Sequence, residues 1–148
     1  MATIDINEVL EQWKDDVILD ESKLSKEIMR VPMLHSKYLS YYIHFKQKFA
    51  SAESKYNKLS YLRKRYYRGE LTQQELIDNK WGQYQGLKMS NTEFNQHSDI
   101  DPILVDCKRV VDEYKLSVSG CEYILTQLKG REYALKSLID YQKFIAGN

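Results

Sequence analysis

Two stretches of the chain repeat apolar residues at alternating spacings of four and three. The first consists of Tyr38, Tyr42, Phe45, Phe49, Ala52, Tyr56 and Leu59. The second consists of Cys107, Val111, Tyr114, Val118, Cys121, Leu125 and Leu128. Heptad spacing places each set along one side of an α-helix and is typical of helices that pack along their length. The sequence therefore predicts an all-α, elongated fold built on two long heptad-patterned helices.

The predicted elements form a single helical domain over residues 1–148. They are a short N-terminal helix 4–13, a long basic helix of about 22–68, a short helix 72–81, a loop 82–100 and C-terminal helices 102–146. Thr72 and Glu75 have the spacing of a capping box, which favours a helix start there. Asp101 followed by Pro102 is a second good helix start.

Three residues could interrupt the long helices. Pro32 is expected to kink or restart the first, because proline lacks the backbone N–H that a helix interior uses. Gly120 and Gly130 each weaken a helix by about 1 kcal/mol relative to alanine. Either glycine could mark a bend in the second, and Gly130 could separate two helices.

The two heptad seams could pair with each other as a helical hairpin or pair between chains. A chain of 148 residues with this much extended helix has few elements left to cover both seams. We therefore expect a homo-oligomer, in which copies of the chain complete the core.

Charge is distributed unevenly, although the net charge is only +1. Residues 1–21 contain seven acids and one base, residues 22–68 contain twelve bases and two acids, and residues 69–148 contain nine bases and twelve acids. Such a basic block raises the local affinity for phosphate even when the total charge is near zero. The acidic N-terminal segment could face a basic partner or a neighbouring subunit, or could only offset charge.

The basic block is densest at the end of the first heptad seam, where Arg63 occupies the next seam position and breaks the pattern. Cations and tyrosines alternate there, and no acid occurs between residues 55 and 68. Cations for phosphates and flat rings for bases are the two parts of a sequence-tolerant single-strand surface. The candidate DNA-binding residues are Lys55, Lys58, Tyr61, Arg63, Lys64, Arg65, Tyr66, Tyr67 and Arg68.

The tyrosines have two interpretations. Tyr38, Tyr42 and Tyr56 lie on the seam, which favours core packing for them. Tyr61 and the Tyr66–Tyr67 pair lie among cations, where base stacking and packing are equally compatible with the pattern. We expect the helix end that carries them to be free of the packed seam and open to a ligand.

No catalytic, metal or cofactor signature occurs in the sequence. There is no GxxxxGK[ST] loop, no HExxH and no CxxC pair, and the three histidines lack a ligand spacing. Cys107 and Cys121 are 14 positions apart, too far along one helix for an internal disulfide. No apolar run is long enough to cross a membrane. We expect a non-enzymatic protein with no catalytic residues, metal or cofactor.

Four segments, in order, resemble the UvsY family of recombination mediators from large tailed phages. They are KDDV at 14–17 running on to Lys23 and Leu24; MLHSKYL at 33–39; the basic stretch ending in Tyr66–Tyr67; and LKGREYALK at 128–136, followed by FIAG at 144–147. The match spans nearly the whole chain, but residues 69–101 match poorly.

The resemblance implies an all-helical protein that assembles into a ring-like hexamer or heptamer. It implies binding of single-stranded DNA and loading of a RecA-like recombinase onto strands covered by the phage single-stranded DNA-binding protein. The resemblance also implies that the protein is located in the cytoplasm of the infected bacterial host. The family's Lys-x-Arg pair before a tyrosine pair aligns with Tyr61 and Arg63, so the expected lysine is absent here, and Lys58 or Lys64 could replace it.

Two other functions fit parts of the pattern. The chain could be a non-enzymatic coiled-coil scaffold or assembly protein with an incidental basic surface. A duplex-specific transcription factor fits less well, because no recognition helix or half-site symmetry is visible.

Overall fold

A computed structural model describes residues 4–147, and this part of the chain contains α-helices, one 3-10 turn and no β-strand. The all-α prediction is confirmed. The helices are α1 (Ile6–Asp16), α2 (Leu24–Tyr67), α3 (Gln73–Asn79), α4 (Asn91–His97) and α5 (Pro102–Ile145), and the 3-10 turn is Glu21–Lys23.

Helix α2 continues without interruption through Pro32 for 44 residues. The expected restart of the helix at this position is therefore wrong. Proline removes only one backbone hydrogen bond, and the buried side chains of Val31 and Leu34 hold the helix on either side of it. The helix ends where Gly69 adopts a left-handed φ of 67°, a conformation that favours glycine.

Helix α5 also runs for 44 residues as one element, including Gly120 and Gly130. The predicted division into several C-terminal helices is wrong. The buried side chains of Leu128, Arg131 and Leu135 flank Gly130. Their packing outweighs the roughly 1 kcal/mol that a glycine costs in a helix interior.

The predicted loop 82–100 contains a helix, α4, which corrects that prediction. Ser90 accepts a hydrogen bond from the Glu93 backbone N–H, and the Glu93 carboxylate accepts one from the Ser90 backbone N–H. This capping box satisfies backbone groups that a short helix otherwise leaves unpaired. The other capping box, at Thr72 and Glu75, is confirmed and starts α3.

The chain divides into two compact units. The first comprises Met1–Gln47 and Lys115–Asn148, and the second comprises Lys48–Tyr114. That residues 1–148 act as a single domain stays a prediction, and residues 1–3 and 148 lie outside the described part.

In the first unit, the beginning of α2 packs against the end of α5. Leu24, Val31 and Leu135 form a buried cluster, and Leu138 and Ile139 pack against it. Helix α1 lies against α2 through Trp13, whose ring meets that of Tyr38 edge-on with centroids 5.4 Å apart.

In the second unit, the end of α2 packs against α4 and the beginning of α5. Tyr67, Phe94 and Leu104 form its buried cluster. The residues of both heptad seams are buried or half-buried throughout, which confirms that the seams are packing faces.

Candidate nucleic-acid interface

The end of α2 carries a buried ion pair. Arg63 donates from Nε to Asp101 Oδ2 at 3.0 Å, and its Nη2 lies 2.9 Å from the same oxygen. The Tyr67 hydroxyl donates to that oxygen at 2.8 Å and accepts from Arg63 at 2.8 Å. His97 contacts the hydroxyl through Nε2 at 3.1 Å. Every charge in this network is partnered, as buried charges require.

Asp101 has a second role at the start of α5. Its Oδ1 accepts from the backbone N–H of Ile103 at 2.9 Å and of Leu104 at 3.4 Å. Burial disfavours the ionised carboxyl, but hydrogen bonds from Tyr67 and Arg63, and the charge of Arg63, hold the pKa of Asp101 below its usual value. Burial, followed by the bond to Asp101, raises the pKa of Tyr67 to about 12.

Aromatic rings surround the same guanidinium. The Arg63 carbon Cζ lies 4.6 Å from the ring centroid of Tyr66, 5.0 Å from that of Tyr67 and 4.7 Å from that of Trp81. At these distances a cation is attracted to a ring face. Arg63 and Tyr67 are thus interior residues, and the expectation that this helix end is free of packing is wrong for them.

The opposite face of α2 carries what we call the basic stripe: Lys58, Tyr61, Arg65 and Arg68. Their spacing of three, four and three places them within an arc of about 80° at 3.6 residues per turn. The first two are exposed and the two arginines are half-buried. Tyr61 is 64% exposed, and Arg65 Cζ lies 5.8 Å from the centroid of its ring. A stacking ring among cations therefore faces solvent.

Two members of the stripe have partners within the second unit. Arg65 donates to both carboxylate oxygens of Glu75, at 2.7 and 3.1 Å. This bond, together with the backbone N–H of Thr72, lowers the pKa of Glu75 to about 2. Arg68 donates to the neutral Asn91 side chain and forms no ion pair with any acid in residues 4–147.

The remaining predicted residues lie around this stripe. Lys55 is exposed one turn earlier on α2 and Lys64 is half-exposed beside the stripe. Neither forms an ion pair within residues 4–147. Tyr66 is half-buried, and its hydroxyl donates to the Gly82 carbonyl at 2.8 Å. The structure thus brings Lys58, Tyr61, Arg65 and Arg68 onto one face and removes Arg63 and Tyr67 from the accessible surface.

Sequence reasoning missed the residues that pack the end of α2. Trp81, Tyr84, Phe94 and His97 all lie in or next to the segment predicted to be a loop, and Asp101 was identified only as a helix cap. The Ser90-x-x-Glu93 pattern was a usable signal for α4. Nothing in the sequence paired Asp101 with Arg63, 38 positions away.

The acidic N-terminal segment is partly engaged within the first unit. Asp16 accepts hydrogen bonds from Lys37 at 2.7 Å, Tyr38 at 2.8 Å and Arg30 at 3.3 Å. Arg131 donates to the backbone carbonyls of Asp16 and Val17. Asp16 therefore offsets positive charge inside the chain, one of the two roles left open for this segment.

No helix in residues 4–147 has the length and apolar character needed to cross a membrane. Within the same residues, no three His, Cys, Asp or Glu side chains are grouped so that they could hold a metal ion. Cys107 and Cys121 are both free thiols.

Comparison with known proteins identifies relatives of this fold. Two crystal structures of the bacteriophage T4 recombination mediator protein UvsY superpose with TM-scores of 0.80 and 0.81. The first is 21% identical and the match covers 95% of this chain and 99% of that one; the second is 22% identical, with 98% and 100% covered. At this level of sequence identity, the structural similarity establishes the fold alone.

Sequence comparison establishes the family. No curated protein matches the chain significantly. The family described as "Recombination, repair and ssDNA binding protein UvsY" matches residues 12–148, nearly the whole chain. The resemblance seen in the four sequence segments is thereby confirmed, and the chain belongs to the UvsY family.

Proposed function

We propose that this protein binds single-stranded DNA through the basic stripe and acts as a recombination mediator. The observation that carries the proposal is that Lys58, Tyr61, Arg65 and Arg68 share one face of α2, with Lys58 and Tyr61 exposed and the two arginines half-buried. The family's description, which names recombination, repair and single-stranded DNA binding, supports the same function.

The stripe supplies two kinds of contact to an unpaired strand. Its cations neutralise phosphates and release counterions, so affinity falls as salt rises. Tyr61 offers a ring face to a base, and stacking of this kind contributes about 1–3 kcal/mol per base. Neither contact reads the sequence, which suits a protein that must accept any strand.

As a mediator, the protein loads a RecA-like recombinase onto strands covered by the phage single-stranded DNA-binding protein, in the cytoplasm of the infected host. In a hexamer or heptamer, each copy presents one basic stripe that binds DNA weakly. Multivalency gives the assembly a high overall affinity while each single contact stays reversible. Binding and exchange need no catalytic residue, metal or cofactor.

Fluorescence anisotropy with labelled oligonucleotides at two salt concentrations tests the binding step. We expect a preference for single over double strands and a marked loss of affinity at the higher salt. Adding the recombinase and the DNA-binding protein to the same strand tests the mediator step, because the protein should then speed recombinase assembly.

The alternative, a coiled-coil scaffold, is favoured by one observation. Arg63 and Arg65 are already neutralised by Asp101 and Glu75, so the accessible charge is smaller than the sequence suggests. A scaffold would bind neither strand at either salt concentration, and that result would overturn the proposed function.

A further inference from the structure

A small cavity lies beside the end of α2 in the second unit. Its volume is about 120 Å³. The residues that line it are Tyr66, Gly69, Leu71, Gln73, Leu76, Gln83 and Tyr84. Pockets that enclose drug-sized ligands measure about 300–1,000 Å³, so this one has room for a single flat ring rather than a whole nucleotide chain.

Two aromatic side chains form fixed walls of the cavity. The rings of Tyr66 and Tyr84 lie 5.6 Å apart at their centroids, tilted by 57°. Tyr66 donates its hydroxyl proton to the Gly82 carbonyl and Tyr84 donates to the Leu87 carbonyl, each at 2.8 Å. Both rings are therefore held in place before any ligand arrives, which lowers the entropic cost of binding.

Two glutamines also line the cavity, Gln73 and Gln83. Gln73 and Gln83 are exposed, and neither side-chain amide has a hydrogen-bond partner among residues 4–147. An amide offers two donors and an acceptor, the groups that pair with the edges of nucleobases. Aromatic walls combined with amides free to hydrogen-bond are the groups that recognise an unstacked base.

The cavity and the basic stripe are both in contact with the segment 70–75. Arg65 donates to the Glu70 carbonyl at 3.3 Å and to the Glu75 carboxylate, so its guanidinium lies along the segment 70–75. Leu71 and Gln73, in that same segment, line the cavity. A strand whose phosphate contacts Arg65 therefore has a base within reach of the cavity.

We propose that this cavity is a nucleobase subsite, which takes one base of a single strand held by the basic stripe. The inference rests on the proposed function and adds a second kind of base contact to it. Tyr61 stacks a base on the open surface, whereas the cavity encloses one and hydrogen-bonds its edge.

The test compares two labelled strands of equal length and charge, a thymidine oligomer and its abasic counterpart, bound to the full chain. The variant is Gln73→Ala with Gln83→Ala, and the control is Gln47→Ala with Gln96→Ala, which removes two exposed amides elsewhere. Loss of two amide hydrogen bonds should weaken binding of the thymidine strand about tenfold. Affinity for the abasic strand should not change, and the control should match the parent on both strands.

Three outcomes distinguish failure of the proposed function from failure of the nucleobase subsite. If the parent protein binds neither strand, the proposed function fails. If the Gln73 and Gln83 variant binds the thymidine strand like the parent, the subsite is overturned while the stripe stands. If that variant loses affinity for both strands equally, the glutamines act on the fold or on phosphates, and the subsite is overturned as well. Because Tyr61 also makes the protein bind a strand with bases more tightly than an abasic strand, that preference in the parent does not test the cavity. The comparison between the glutamine variant and the parent tests it.

Discussion

Arg63 Nη2 lies 2.9 Å from Asp101 Oδ2, and the two side chains are 8% and 0% exposed. The pair joins the last turns of α2 to the first turn of α5 within the second unit. Arg63, which the sequence predicted to contact phosphate, is therefore a buried cation that stabilises the fold. Removing one partner from such a pair leaves an uncompensated buried charge, which costs far more than the pair itself contributes.

The first prediction concerns this pair. Arg63→Ala should lower the free energy of unfolding by about 3–5 kcal/mol, because Asp101 keeps its charge in the interior without its partner. Urea unfolding followed by circular dichroism measures the change. Lys64→Ala, the next residue along the helix, removes the same charge from a half-exposed site and should cost under about 0.5 kcal/mol. Equal costs for the two variants would contradict the structural role of Arg63.

The second prediction concerns acid stability. Glu75 has its pKa lowered from 4.5 to about 2, and the pKa of Asp101 is also lowered. A carboxyl whose pKa is lower in the folded chain contributes its full stability above the pKa of the unfolded chain and loses it as the pH falls towards the folded value. The free energy of unfolding should therefore decline from about pH 5 down towards pH 2.

Urea unfolding at several pH values measures this decline. In Glu75→Gln the curve should be flatter over the same range, because one of the carboxyls with a lowered pKa is gone. A variant curve parallel to that of the parent would show that Glu75 does not contribute to the pH dependence.

The third prediction separates stacking from packing at Tyr61. Tyr61→Ala should weaken binding of single-stranded DNA by about 1–3 kcal/mol, the range for one stacked base. Tyr61→Phe keeps the ring and should bind like the parent. Because Tyr61 is 64% exposed, neither change should alter the free energy of unfolding appreciably. Equal anisotropy titrations for Ala and Phe would place Tyr61 outside the interface.

The fourth prediction concerns the Glu75 carboxylate, which competes with DNA phosphates for Arg65. Glu75→Gln keeps a side-chain oxygen for the capping box but removes the charge that holds the guanidinium, so affinity for single strands should rise at low salt. Asp78→Asn removes one charge from the same helix without touching Arg65 and serves as the control. A gain of equal size in both variants would mean that only overall charge matters.

Much of the fold follows from periodicity. The two seams identified the buried faces of α2 and α5, because a spacing of four and three places side chains on one side of any helix. Thr72 and Asp101 marked helix starts through local hydrogen bonds that involve only nearby residues. Such short-range chemistry can be inferred from sequence alone.

The candidate site was less predictable, for a physical reason. Helical spacing shows which residues share a face, but it does not show which face another element will cover. Arg63 occupies a seam position, and its burial depends on Asp101 being brought to it by the fold. Lys58 and Arg68, on the opposite face, form no ion pair within residues 4–147.

The most direct test of the account is the salt dependence of single-strand binding for Lys58→Ala with Arg68→Ala, set against Lys115→Ala with Lys129→Ala. Both double variants lose two positive charges, but only the first loses them from the basic stripe. For single strands each phosphate contact contributes about 0.7 to the slope of log affinity against log salt. The stripe variant should bind more weakly, with a slope about 1.4 shallower than that of the parent, while the control keeps the parent slope. Identical slopes and affinities for the two double variants would contradict the assignment of the stripe as the DNA-binding surface.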